Sequence, residues 1–381
     1  MPSFPLPRGF FQCSPLSPDE LDQFAHLSSE VAVGCIINSR VANPALHWRL
    51  VDDVHEVQIY QGVDPAAPPR AAIWLGVTHI AATLDEIPSV NVAPDDATYK
   101  SAKKLTEKDM LLDCAHLYNI PTDSADTTVN LRWASIKFPM AGMTKPRDFC
   151  LLETQVRFTL DGFKGYAIAT TSIELSCCPD FQEDLGLVRG RFYRTGTIYL
   201  ESNRRGMLQV TRLVETDLGG SMPSWVIDLG QRNRMKSMRD LDRLFQERRL
   251  SATTFRTPVE LVPKATRSKC YLCHRNFKLF GKTQCRKCGE VMCRSCSMSW
   301  IVHVSSFDVK VTICTSCSLA PRHDTLDGSV VYAPSTPSYC RQGETAASVS
   351  KFYRSRSQKS SPPMAYLDNS YKLEASTTCL Y

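Results

Sequence analysis

The 381-residue sequence has no apolar run of eighteen residues, so no helical membrane span is expected. Its first twenty residues, MPSFPLPRGFFQCSPLSPDE, hold no continuous apolar stretch and no small-residue cleavage site. No secretory leader is expected, and the chain reads as cytoplasmic. Catalytic signatures are missing too. There is no G-x-S-x-G elbow, Walker A loop, H-E-x-x-H or dinucleotide fingerprint, which argues against an enzyme. Net charge is small: 45 Lys and Arg against 39 Asp and Glu leave +6. That balance permits an acidic partner such as a phospholipid headgroup without demanding one, and no nucleic-acid partner is expected.

Cysteine is plentiful. There are sixteen, and a chain read as cytoplasmic uses them for metal rather than disulfides. Eight are scattered, and these are read as small buried hydrophobes or exposed bystanders. The other eight form four C-x-x-C pairs: Cys270/Cys273, Cys285/Cys288, Cys293/Cys296 and Cys314/Cys317. A C-x-x-C turn aims two sulfurs at one point, and two such turns complete a tetrahedral thiolate site. Eight ligands therefore imply two Zn2+. Sequential pairing of the turns is open. The interleaved scheme, one with three and two with four, is typical of such spacings. So small a module has little core, so metal binding supplies most of its folding energy. Sites closed by four cysteines keep no open position for chemistry.

The preceding 250 residues show mixed periodicity. Ser17-Pro18-Asp19-Glu20 is an N-cap, an N1 proline and a capping-box glutamate, and predicts a helix to about Asn38. Short strand-like runs follow, then helix within 83–104, then a meander of alternating strands with a bulge near Gly196. A long basic helix pattern closes the segment, with Met235, Met238, Leu241 and Leu244/Phe245 on one face. This order predicts an α+β fold: a curved antiparallel sheet around a long C-terminal helix. Residues 251–266 read as a linker. Beyond 320 the Ser/Thr/Pro-rich composition predicts a disordered tail, 321–381.

HRNFKLFGKTQCRKCGEVMCRSCS resembles the middle of a FYVE-type zinc finger, through Cys285-Arg286-Lys287-Cys288-Gly289 and Cys293-Arg294-Ser295-Cys296-Ser297. A RING finger would need a histidine near the second pair, and a PHD finger one where Cys293 stands. The resemblance implies a two-zinc cross-brace finger over 267–320 that meets a phosphoinositide or anionic membrane surface. Lys282 and Arg286 fall on the family's basic signature, and Leu279 and Phe280 on its membrane-inserting loop. The arginine of the family's R-V-C stretch is Thr312 here, and no W-x-x-D precedes Cys270.

Beside that finger, Lys145-Pro146-Arg147-Asp148-Phe149, Leu112-Asp113-Cys114 and Leu131-Arg132-Trp133 resemble segments of START-like, helix-grip domains. The resemblance implies a lipid cavity within residues 1–250, with Arg147, Asp113 and Trp133 as candidate lining residues. The whole reads as a non-enzymatic zinc-binding adaptor, peripheral on endosomal membranes. The competing reading is a protein-interaction scaffold whose finger binds a protein partner and whose START-like domain is ligandless.

Overall fold

The computed structural model describes residues 4–319, apart from 44, 55, 108–109, 138–143, 278–280 and 305–306, and for 105–107 the backbone alone. The expectations for Leu279, Phe280 and the tail lie outside the described residues. Contacts divide the chain after Leu241, with the second unit starting at Asp242.

The first unit opens with α1 (Pro18–Asn38). Its N-terminus is fixed as the sequence predicts: Ser17 caps Glu20 N–H, and the Glu20 carboxylate accepts from Ser17 N–H in return. Three strands follow, β1 (His47–Val54), β2 (Val57–Val63) and β3 (Ala72–Ile80), then α2 (Ile87–Asn91) and α3 (Asp96–Glu107). The meander comprises β4 (Leu111–Ile120), β5 (Thr127–Ile136), β6 (Arg147–Leu160) and β7 (Phe163–Ser172). After α4 (Gln182–Leu185) come β8 (Val188–Arg189), β9 (Arg191–Glu201) and β10 (Leu208–Asp217). The described strands form one ten-stranded sheet, ordered β1-β2-β3-β10-β9-β7-β6-β5-β4, with β8 parallel to β6. The bulge expected near Gly196 lies at Tyr193–Arg194, opposite Glu215. Arg194 explains the position, since its guanidinium reaches both Glu215 and Asp64.

Strand alternation divides the sheet into two faces. Ile198, Ala167 and Ala169 pack against Cys35 and Ile36 of α1. The other face is covered at one end by α5 (Ser224–Lys236), which lies on β2 and β3. There Met235 and Met238 press on Gly76, where a Cβ would come within 2.9 and 2.6 Å of their sulfurs. At the other end Phe149, Leu151 and Phe192 pack with Leu218 and Met222. Helix, sheet and terminal helix thus follow the expected α+β, helix-grip order.

The long terminal helix is interrupted. After α5 a 3-10 turn (Ser237–Asp240) precedes α6 (Leu241–Ser251). The second unit then runs through β11 (Lys282–Gln284), β12 (Val291–Cys293), β13 (Ser297–Val304) and β14 (Phe307–Cys314), paired as two short hairpins. Within this unit α6 lies along β13. Glu247 accepts from Ile301 N–H at 3.0 Å and Ser251 Oγ from His303 N–H at 2.9 Å, and Arg243 donates to the Ser299 carbonyl. Leu250 is buried with Trp300, Val302, Val311 and Ile313. The stretch expected as a linker also runs along the finger. Arg256 N–H donates to the Arg286 carbonyl and Val262 N–H to the Gly289 carbonyl.

Candidate functional site

The eight finger cysteines converge as two groups, Cys270, Cys273, Cys293 and Cys296, and Cys285, Cys288, Cys314 and Cys317. Within each group the sulfurs lie within 4.8 Å of one another. This is the interleaved arrangement, since each group takes alternate turns. Zinc–thiolate bonds of about 2.3 Å in a tetrahedron place sulfurs about 3.8 Å apart. Cys273 Sγ and Cys293 Sγ stand 3.8 Å apart. Backbone donors surround the sulfurs. Cys293 N–H reaches Cys270 Sγ at 3.4 Å, and the amides of Lys287, Cys288 and Cys314 reach Cys285 Sγ at 3.4, 3.5 and 3.3 Å. Such bonds stabilise thiolate over thiol. The residue after each of the first two turns takes positive φ: His274 at 55° and Gly289 at 83°. At Gly289 a Cβ would also meet Arg256 Cδ and the Glu260 carbonyl at 3.1 Å, so glycine is favoured there on both counts. The donor set and spacing fit two zinc ions.

Of the candidate membrane-facing residues, Lys282 lies on β11, with Nζ 3.0 Å from the Lys264 carbonyl and 5.3 Å from the Phe277 ring centroid. Arg286 is anchored through its N–H to the Thr312 carbonyl, and its Nε is buried without a hydrogen-bond partner.

In the first unit the candidate lining residues separate. Arg147 is buried and donates to the carbonyls of Leu218 (3.0 Å), Gly219 and Lys145. Asp113 accepts from Leu6 N–H at 2.7 Å and sits 3.6 Å from Lys100 Nζ. These two side chains are thus engaged at different places. Trp133 lies on the face opposite its neighbour Arg132. It packs with Phe11 and Phe181, and its Nε1 donates to Asp148 at 3.0 Å. Asp148 in turn holds Arg189 at 2.9 Å. Trp133 is therefore packing, with its polar atom satisfied.

The polar groups on the inner face are others. Cross-strand pairing puts Arg132, Leu151, Glu153, Asn130 and His116 on one side of β4–β6. Arg132 and Glu153 form a buried ion pair at 3.3 Å. Arg132 also donates to the Ala93 carbonyl and lies over the Tyr99 ring at 4.0 Å. Burial tends to raise the Glu153 carboxyl, but Arg132, Lys103 and the hydrogen bond from Gln155 together outweigh it, and its pKa lies below the ordinary value. Several buried atoms here have no hydrogen-bond partner: Arg132 Nη1, Asn130 Oδ1 and both ring nitrogens of His116. On α5, Gln231 Oε1, one turn before Met235, shares this condition. Within Leu131-Arg132-Trp133 it is Arg132, not the expected Trp133, that lies on this face. Strand phase decides the matter, and it could not be fixed without the partner strands.

A model of the START domain family matches residues 108–250, and one of the FYVE zinc finger family matches residues 260–322. Human StAR-related lipid transfer protein 5 is similar in structure, with 19% identity over 57% of this chain and 92% of that one, TM-score 0.45. Human STARD10 shows 16% identity over 63% and 86%, TM-score 0.40. The human StarD13 (DLC2) lipid transfer and protein localization domain shows 15% identity over 59% and 96%, TM-score 0.37. No curated protein matches the chain. On the two family matches and the geometry above, the chain carries a START domain followed by a FYVE zinc finger.

Proposed function

We propose that this protein is a non-enzymatic adaptor whose START domain holds a lipid and whose FYVE finger, built on two zinc ions, attaches it to anionic membrane. The observation that carries the lipid reading is the set of unpartnered polar atoms on the inner face of the sheet. A buried donor or acceptor without a partner costs about 1–3 kcal/mol. A ligand with a polar end offered to Arg132, Asn130, His116 and Gln231 relieves that cost, while Leu151 and Phe149 on the same face suit its apolar body. Arg147, Asp113 and Trp133 act as supports in this reading rather than as ligand contacts.

In the finger, Cys270, Cys273, Cys293 and Cys296 hold one zinc, and Cys285, Cys288, Cys314 and Cys317 the other. Zinc supplies the cross-links that fold the module. Lys282 and Arg286 face phosphate, and Leu279 and Phe280 serve as an apolar contact. A place on endosomal membranes follows from phosphoinositide recognition. No described helix is long and apolar enough to cross a membrane, in keeping with peripheral attachment.

Flotation of the zinc-loaded chain tests the membrane reading. Vesicles carry phosphatidylinositol 3-phosphate, or the same charge as phosphatidylserine. Selective flotation with the phosphoinositide supports headgroup recognition by Lys282 and Arg286. Equal flotation on both reduces the finger to an electrostatic contact. No flotation on either favours the protein-interaction scaffold.

A further inference from the structure

The hairpin β13–β14 changes character along its length. Register pairs Trp300 with Val311, Val302 with Val309, and Val304 with Phe307, all on one face. Near the base this face is core: Trp300, Val302, Val311 and Ile313 are buried. Toward the tip the same face is open, with Phe307 72%, Val309 41% and Val304 39% exposed. The opposite face carries Ile301, His303, Asp308 and Lys310, where His303 and Asp308 pair at 3.1 Å. An exposed phenylalanine flanked by two valines at the end of a hairpin has no role in holding the finger together.

We propose that Val304, Phe307 and Val309 enter the interfacial layer of an anionic bilayer, making the hairpin tip a second apolar anchor of the finger. Three observations select a membrane as the occupant. The apolar tip exposes on the order of 300 Å², well under the roughly 800 Å² per partner that a stable protein interface buries. Strand addition along β13 is impeded, because the Ile301 and His303 amides are already bound by Glu247 and Ser251. Charge also matches: residues 264–319 hold ten Lys and Arg against Glu290 and Asp308. With about two negative charges at each zinc–thiolate group, a net of about +4 remains to attract anionic lipid. A wedge with apolar and polar faces suits the headgroup boundary, its apolar side down and its polar side among the headgroups.

This inference deepens the membrane reading and rests on it. The test is flotation of the zinc-loaded full chain on phosphatidylcholine vesicles carrying phosphatidylserine. The double substitution Val304→Ser/Phe307→Ser is expected to lower the bound-to-free ratio at least about tenfold, with two zinc ions retained. Phe307→Trp is expected to keep binding, and its fluorescence should be quenched by brominated acyl chains beyond the quenching of the unsubstituted chain. Should the serine pair lose zinc, the Phe307→Trp quenching decides alone. Unchanged flotation of a zinc-retaining serine pair, or no added quenching, overturns the hairpin anchor and leaves the membrane reading standing. If the unsubstituted chain floats on no anionic vesicle, both readings fall.

Discussion

Arg132 and Glu153 form a buried ion pair next to unpartnered polar atoms, and that position makes each residue's removal informative. Glu153→Gln would leave a buried guanidinium without its counter-ion, and Arg132→Met would strand the carboxylate. Each is expected to cost about 3–5 kcal/mol, while the paired apolar replacement costs far less. Urea denaturation of the three variants checks this. His116 supplies a second prediction. Burial pushes its pKa below the ordinary value, Arg132 adds to the effect, and Asp96, Asp95 and Glu153 oppose it. The folded protein therefore keeps the ring neutral where the unfolded chain protonates it. Stability is fully present above about 6.5 and falls as pH drops below it. His116→Gln is expected to flatten that slope in thermal midpoints recorded from pH 7.5 to 5. Single residues were the least legible part of the sequence. The resemblance pointed to Arg147 and Trp133, yet Arg147 is taken up by carbonyls and Trp133 faces away. A one-residue change of strand phase exchanges the two faces, and phase is set by pairing over many residues. The scattered cysteines were simpler to read. Burial pushes Cys35 and Cys114 up to about 12, so they remain inert thiols.

Elements were easier to read where local chemistry fixes them. Ser17 to Glu20 specifies the start of α1 within four residues, and the structure has the capping box. The terminal helix was harder. Its apolar face runs unbroken through Met235, Met238 and Leu241, so the sequence reads as one helix, whereas a 3-10 turn intervenes at Ser237–Asp240. Periodicity cannot show that α6 lies along β13, because that contact uses Glu247 and Ser251 as acceptors for strand amides. Leu250 carries the element-scale prediction. It sits at 0% exposure among Trp300, Val302 and Ile313. Leu250→Ala in the full chain is expected to cost the zinc-loaded finger about 2–5 kcal/mol, seen as a lower finger transition. An unchanged finger transition would separate α6 from the finger's core. The bulge of β9 follows the same rule: the sequence showed the break in alternation, but Arg194 and its two acids set its place.

For the whole molecule, two modules of different origin of stability share one chain. The first carries a ten-stranded sheet with helices on both faces and has a core of its own. The second has a small core around Trp300 and two cysteine tetrads. Chelation is therefore expected to unfold the finger and leave the START transition in place, which calorimetry with and without chelator would resolve. The finger was legible because C-x-x-C spacing is a covalent property of the sequence. The boundary was less so. The START family match runs to residue 250, while the contacts assign Asp242 onward to the second unit. The most direct test of the whole account is native mass spectrometry of the chain purified with zinc present. The account predicts a mass excess of two zinc ions and one lipid, with the lipid lost on gentle activation before the metals. A folded chain carrying zinc but no lipid after loading trials would contradict the START reading, and one folded without zinc would contradict the finger.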